Sequence, residues 1–177
     1  MATIGHVVMG LAAGKAFGKG PLRAPAAAVF VALAVLPDLD VIAFRFGIPY
    51  ANPFGHRGAS HSLAVACLLA LLAWPVARAM KLPAWRVCLA VLAAVASHGL
   101  LDALTDGGLG PALLWPISSE RIFFPWRPVP VGPIGVRFLS SRGLLVASWE
   151  VLALAPLLAW ALWPSRARLR GARSSAW

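Results

Sequence analysis

All four histidines of this chain and five of its six acidic residues sit in or beside apolar runs, in positions that can share one end of a helical layout. His6 opens the first run. Asp38 and Asp40 close the second, in Leu36-Pro37-Asp38-Leu39-Asp40. His56, Arg57 and His61 lead into the third, in His-Arg-Gly-Ala-Ser-His-Ser. His98, Asp102 and Asp106 end the fourth, and Glu150 lies about two turns into the fifth. Ionisable groups inside apolar segments are expensive, and they are retained where they do something. Any one of them alone reads as a packing or capping residue; their convergence is what points to a metal site.

The spacing supports that reading. His98, Asp102 and Asp106 recur every four residues, a drifting stripe on one helix face, and His98 and Asp102 stand about 6 Å apart along the axis. Asp38, Asp102 and Asp106 lie near helix C-terminal ends, where the macrodipole disfavours a carboxylate and a bound cation would reverse the penalty. His61 is expected at a helix N-terminus, with Ser60 as its cap and the dipole favouring neutral imidazole. Imidazole and carboxylate without thiolate suit zinc, with manganese or iron as alternatives. His6, Asp38, His56, His61, His98 and Asp102 are the expected ligands. So many donors make a pair of ions reasonable, clamping both oxygens of a phosphoester. Asp40 or Asp106 is left to accept a proton from water. Cys67 and Cys88 lie in apolar segments and read as small buried hydrophobes.

What positions these groups follows from composition. The chain has 177 residues, 60% hydrophobic and 12% charged, with a mean hydropathy of +0.78. That excludes a water-soluble globule, and eight Trp with eight Phe exclude a disordered basic tail. The expectation is an all-α integral membrane bundle of about five helices, near 2–18, 24–43, 59–80, 84–105 and 144–163. It forms one domain over 1–165, with a Pro/Gly/Arg-rich lid loop at 107–143 and a basic tail at 166–177. Pro37 should break or kink the second helix near its end. No removable signal peptide is expected.

Ten of the sixteen basic residues, Lys15, Lys19, Arg23, Arg78, Lys81, Arg86 and the four arginines of the tail, fall in short connections and the terminus on one side. The positive-inside rule makes that side cytoplasmic and turns the His/Asp end outward. The net charge of +10 is thus a topology signal rather than a nucleic-acid surface.

The ordered set formed by His6, Leu36-Pro-Asp-Leu-Asp40, His56-Arg-Gly-Ala-Ser-His-Ser62, Ser97-His-Gly-Leu-Leu-Asp102 and Thr105-Asp106 resembles the YdjM-like family of LexA-regulated, membrane-bound metal-dependent hydrolases. The resemblance covers roughly residues 1–110. It implies a distant similarity to zinc-dependent phospholipase C and P1-type nucleases, all-helical enzymes with clustered zinc and a His-x-x-x-Asp helix pair, which His98 and Asp102 match. It also implies a bacterial inner-membrane location and a metal-dependent phosphoesterase.

In the lid loop, Glu120-Arg-Ile-Phe-Phe-Pro-Trp-Arg-Pro mixes aromatics, which anchor at the headgroup level, with arginines whose planar fork matches phosphate oxygens. Arg57, Arg121 and Arg127 are therefore expected phosphate contacts, and Glu150 a ligand or its supporting partner. No His-Glu-x-x-His, Walker loop or serine elbow is present. The expected function is a hydrolase acting on a phospholipid or another lipid-linked phosphate within the bilayer, with no nucleic-acid partner. The alternatives are a metal transporter or sensor using the same cluster, and a structural protein whose polar groups hold the helices together.

Overall fold

Gly10 and Gly14, four residues apart, leave bare backbone on one face of the first helix, and the fold is built on the close approach this permits. The computed structural model describes residues 3–18 and 23–163. In it, α1 (Thr3–Phe17) runs along α2 (Arg23–Val35). A Cβ on Gly10 would stand 2.4 Å from Cα of Val31, and one on Gly14 2.3 Å from Cα of Ala27. Backbone occupies the space, so a side chain there must push the helices apart. Gly14→Leu is expected to lower the thermal midpoint of the detergent-solubilised protein sharply, at the upper end of the ~1–3 kcal/mol typical of overpacking. An unchanged midpoint in a melting scan would remove this crossing from the account.

The apolar run of α2 does not stop at Val35. Pro37 has no N–H to donate, and from Leu36 the chain winds as a 3-10 helix through Phe46. Gly47, at φ 72°, ends it in the left-handed conformation, its N–H donating to the carbonyl of Phe44. A one-turn 3-10 segment, Ala59–His61, precedes α3 (Leu63–Ala79). The antiparallel α4 (Ala84–Asp102) follows, then a long irregular stretch, a 3-10 turn at Gly135–Leu139, α5 (Ser141–Ala153) and α6 (Ala155–Leu162). Pro75 is absorbed within α3, whereas Pro156 opens α6 just after a break at Leu154.

The five expected helical segments are thus present, and no strand occurs among the described residues. Fewer than five have the dimensions of a span. Arg23–Phe46 and α4 are long and apolar enough to cross a bilayer, and α5 with α6, bent by 70°, would make a third as one broken span. The helices α1 and α3 are apolar but shorter.

The distribution of polarity is that of a protein in lipid. Leu68, Leu71, Leu72 and Trp74 of α3, Trp85 and Leu89 of α4, and Leu152 and Leu162 beyond them are all exposed. His6, Arg57, His61, His98, Asp102 and Glu150 are each at most 3% exposed. Between the helices the core is made of small residues, Ala34, Ala66, Ala70 and Ala94, filled in by Phe30, Val91 and Val95.

The basic end is tied together as well. Lys15 Nζ donates to the carbonyls of Trp160 and Trp163, and Arg23 Nη2 to those of Ala161 and Trp163 at 2.9 Å. These cations meet the negative end of α6. Lys19 and the tail at 166–177, both part of the expected charge bias, lie outside the described residues.

The stretch 103–140 is anchored rather than loose. Phe124 N donates to Ala103 O, Val129 N to Leu104 O and Asp106 N to Val129 O, while Ala112 N reaches Arg57 O and Leu63 N reaches Leu113 O. Its first part is a buttress beneath the third and fourth helices. Gly108 and the last part, from Val131, stand beside an open cleft.

Candidate metal centre

The α-to-3-10 transition after Val35 decides what Asp38 and Asp40 do. With about three residues per turn, positions two apart point in different directions, and the two carboxylates separate in role. Asp38 turns towards His61 and His98, its Oδ1 lying 3.7 Å and 3.3 Å from their Nε2 atoms. Asp102, on the last turn of α4, completes the group: its Oδ2 lies 3.3 Å from His61 Nε2 and 3.7 Å from His98 Nε2. Asp38, His61, His98 and Asp102 thus bring one donor atom each into a space that could hold a metal ion. His6 stands beside them, stacked on His98 at 3.6 Å between ring centres, with Nε2 at 3.8 Å from Asp102 Oδ1.

The nitrogens facing this space have nothing else to bind. Nε2 of His6, His61 and His98 are all buried without a hydrogen-bond partner. Buried polar atoms are rarely left so. Separations of 3.3–3.8 Å are long for hydrogen bonds but close to the ~3.3 Å edge of a tetrahedron built on ~2.0–2.1 Å zinc bonds. The donor set fits zinc, and equally manganese or iron.

The far side of two of these rings is fixed, whereas His6 Nδ1 has no hydrogen-bond partner. His98 Nδ1 lies 2.6 Å from the carbonyl of Ala34, which can only accept, so this nitrogen carries the proton and Nε2 the lone pair. Asp40 does the same for His61. Its Oδ2 lies 3.2 Å from His61 Nδ1 and accepts from Ser60 Oγ at 2.5 Å and from Arg57 N at 3.1 Å. Its Oδ1 pairs with His56 Nδ1 at 2.7 Å. Asp40, His56 and His61 form a second group of possible ligands, but Asp40 is already saturated by these contacts. The arrangement makes it a support that orients two imidazoles.

Ser60 is therefore engaged with Asp40 and does not cap α3. Ser62 does, its Oγ accepting from Val65 N at 3.1 Å. Nor does a helix dipole keep His61 neutral. It lies in the 3-10 turn ahead of α3, and the carboxylates of Asp102, Asp38 and Asp40 surround its ring. A cation would compete with protons for these nitrogens, so its binding would strengthen with pH.

The remaining expected residues separate clearly. Arg57, 3% exposed and at φ 60°, donates through Nη2 to Asp102 Oδ1 at 3.1 Å and through Nη1 to Thr105 Oγ1 at 3.0 Å; its Nε has no partner. Arg121 is spent on backbone: its guanidinium donates to the carbonyls of His56, Tyr50 and Asn52, bracing the loop. Arg127 lies over the Phe123 ring at 4.9 Å. Asp106 is exposed beyond the end of α4 and accepts from Val131 N at 2.7 Å, so the stripe begun by His98 and Asp102 stops at Asp102. Glu150, fully buried, accepts from Gly5 N at 2.9 Å, an anion at the N-terminal turn of the helix that carries His6. Cys67 and Cys88 are both free thiols, and Cys67 is exposed rather than buried.

A cleft of about 700 Å³ opens onto this end. Asp38, His56 and Arg57 line it on one side, and the segment containing Ile134, Arg137 and Phe138 on the other. Arg137 carried no role beyond charge in the sequence. Its signal is a single arginine amid Ile134, Val136, Phe138 and Leu139.

The profile of the YdjM inner membrane protein family matches residues 1–170. The chain belongs to that family. It is 36% identical over 151 residues to the inner membrane protein YbcI of Escherichia coli (strain K12), across 84% of this chain and 87% of that protein. No solved structure matches. Of the segments that resemble this family, His6, the run to Asp40, the run to Ser62 and the run to Asp102 build the His/Asp group, and Asp106 lies outside it.

Proposed function

We propose that this YdjM-family protein is a membrane-bound, metal-dependent hydrolase acting on the phosphoester of a phospholipid or another lipid-linked phosphate. The observation that carries the reading is the set of three buried, partnerless Nε2 atoms, on His6, His61 and His98, gathered around Asp102 beside a cleft. Asp38, His61, His98 and Asp102 would hold the cation, with His6 alongside. A divalent cation held there would supply the activation of water and the charge neutralisation that phosphoester cleavage needs. The protein's own groups do the rest. Asp40 holds His61 and His56 in their tautomers, and Arg57 places a guanidinium where phosphate oxygens would enter. His56, with Nδ1 committed to Asp40, has Nε2 left to move a proton at the cleft.

In this reading all five helical segments are embedded, with the metal end towards the outer face of a bacterial inner membrane and the basic end in the cytoplasm. A transporter would need polar groups along a path across the bilayer. The core packed between the helices is instead Ala, Val and Phe, and this favours the hydrolase.

The test is metal content together with turnover. Mass spectrometry of detergent-purified protein is expected to find stoichiometric zinc, manganese or iron. The metal-loaded protein is expected to release phosphate or a phosphorylated headgroup from lipid in a micellar assay. Stoichiometric metal without turnover on any lipid phosphate, but with metal uptake into sealed vesicles, would replace the hydrolase with the transporter.

A further inference from the structure

We infer that the cleft beside the metal centre is an anion site for an amphiphile, in which Arg57 and Arg137 bind the phosphate end and the wall from Val131 to Phe138 carries the apolar end. The inference rests on the reading above for the charge at the cleft floor, and it names the residues that select the ligand.

Three observations lead to it. The first concerns which arginines are available. Arg121 is held by backbone carbonyls and Arg127 by an aromatic ring, so neither faces the cleft. Arg57 and Arg137 both line it. Arg57 is held by Asp102, Thr105 and the carbonyls of Gly107 and Leu109 but keeps an Nε without a partner, and Arg137 makes no ion pair or side-chain hydrogen bond among the described residues. Two guanidiniums in one cleft, on segments remote in sequence, make a clamp for an anion with several oxygens.

The second is the cleft's contact with the metal group. Asp38 is 25% exposed, whereas the side chains of His61, His98 and Asp102 are at most 1% exposed. Asp38 lines the cleft, so a ligand held by the two arginines would lie against the one metal-group residue that solvent reaches.

The third is the apolar wall. Ile134 and Phe138 line the cleft with Val131 and Val41, and the same segment turns Val136 and Leu139 outwards, 86% and 80% exposed. Leu144 and Leu145, at the start of α5, continue the exposed apolar surface. Exposed apolar residues on both sides of an arginine suit a segment lying at the headgroup level, and they give an acyl chain a route from the bilayer into the cleft. A free phosphate would use the arginines and gain nothing from this wall.

The test measures binding separately from hydrolysis. Calorimetry on the zinc-loaded, detergent-solubilised protein would use inorganic phosphate and the non-cleavable phosphonate analogue of dihexanoyl phosphatidic acid. The phosphonate lipid is expected to bind at least tenfold more tightly than phosphate. Arg137→Ala is expected to weaken both ligands about tenfold, the loss of a charge-assisted hydrogen bond, with Arg137→Lys between. Ile134→Ser is expected to weaken the lipid alone. Arg142→Ala, a nearby cation that does not line the cleft, should change neither. Equal affinity for phosphate and lipid would overturn the amphiphile and leave a free-phosphate site. Arg137→Ala binding like Arg142→Ala, or no binding by the wild type, would overturn the site altogether. Binding that follows this pattern without turnover on cleavable lipids would sink the hydrolase while leaving the anion site standing.

Discussion

Asp102→Ala is expected to abolish metal binding and to cost more stability than any other single substitution at the cluster. The carboxylate serves two sets of neighbours. Its Oδ2 faces Nε2 of His61 and His98 at 3.3 Å and 3.7 Å, and its Oδ1 lies 3.1 Å from Arg57 Nη2 and 3.8 Å from His6 Nε2. Truncation removes an anionic donor from the metal group and strands the Arg57 guanidinium, whose side chain is only 4% exposed. Removing one partner of a buried ion pair typically costs about 3–5 kcal/mol, because the other charge stays buried and uncompensated. The two consequences separate in the double variant Asp102→Ala with Arg57→Met. Its thermal midpoint should recover towards wild type, while its metal content stays at zero by mass spectrometry. Asp102→Asn keeps the volume and one carbonyl oxygen but not the charge, and it should fold better than the alanine variant while holding metal poorly. Wild-type metal stoichiometry in Asp102→Ala would mean that the cation, if any, sits elsewhere.

Much of this arrangement was legible in the sequence, for a physical reason. In a chain this apolar, each His or Asp placed within a helical run carries a desolvation cost, so their positions alone mark the end of the bundle where they meet. The pair His98 and Asp102, one turn apart on a helix, follows directly, as does the change of winding at Pro37. That Asp38 would be a ligand and Asp40 would not was legible, but Asp40's place behind two imidazoles was not. It depends on the chain adopting 3-10 rather than α geometry for Leu36–Phe46, and composition does not distinguish the two windings there. Arg121 and Arg127 share one loop and similar neighbours. Only the tertiary course of the chain gives one of them four backbone carbonyls and the other a phenyl ring. Gly10 and Gly14 lie four apart, the spacing a tight helix crossing requires, but which helix they would meet is set only by the tertiary fold. The lengths and breaks of the helices were not legible for a related reason. Hydropathy measures how apolar a run is, but α5 and α6 are divided by a 70° bend, and α1 and α3 stop short of the length that crosses hydrocarbon.

Gly99→Ala should separate packing from ligand chemistry, because it changes no donor atom and yet is expected to empty the metal site. Gly99 lies on α4 between His98 and Leu100, and a Cβ built on it would stand 2.3 Å from the carbonyl oxygen of His61 and 2.9 Å from Cδ2 of Leu113. The leucine side chain can turn away; the carbonyl cannot retreat without carrying His61 with it. That backbone has little slack, since Leu63 N is bonded to Leu113 O at 3.0 Å and Ala112 N to Arg57 O at 2.9 Å. Relief must come from moving the 3-10 turn Ala59–His61 off the helix, which draws His61 Nε2 away from Asp102 and Asp38. A shift of about 1 Å is half the length of a ~2.0–2.1 Å zinc–nitrogen bond and takes a ligand out of reach. Helix propensity acts in the opposite direction, favouring alanine over glycine by about 1 kcal/mol in a helix interior. The variant should therefore keep its far-UV circular dichroism and stay in solution in detergent, while metal affinity falls by at least the 10–100-fold seen when a ligand's support is lost. A competition titration against a zinc-binding dye would measure it, and wild-type affinity in Gly99→Ala would show that the third and fourth helices do not need this contact to hold His61 in place.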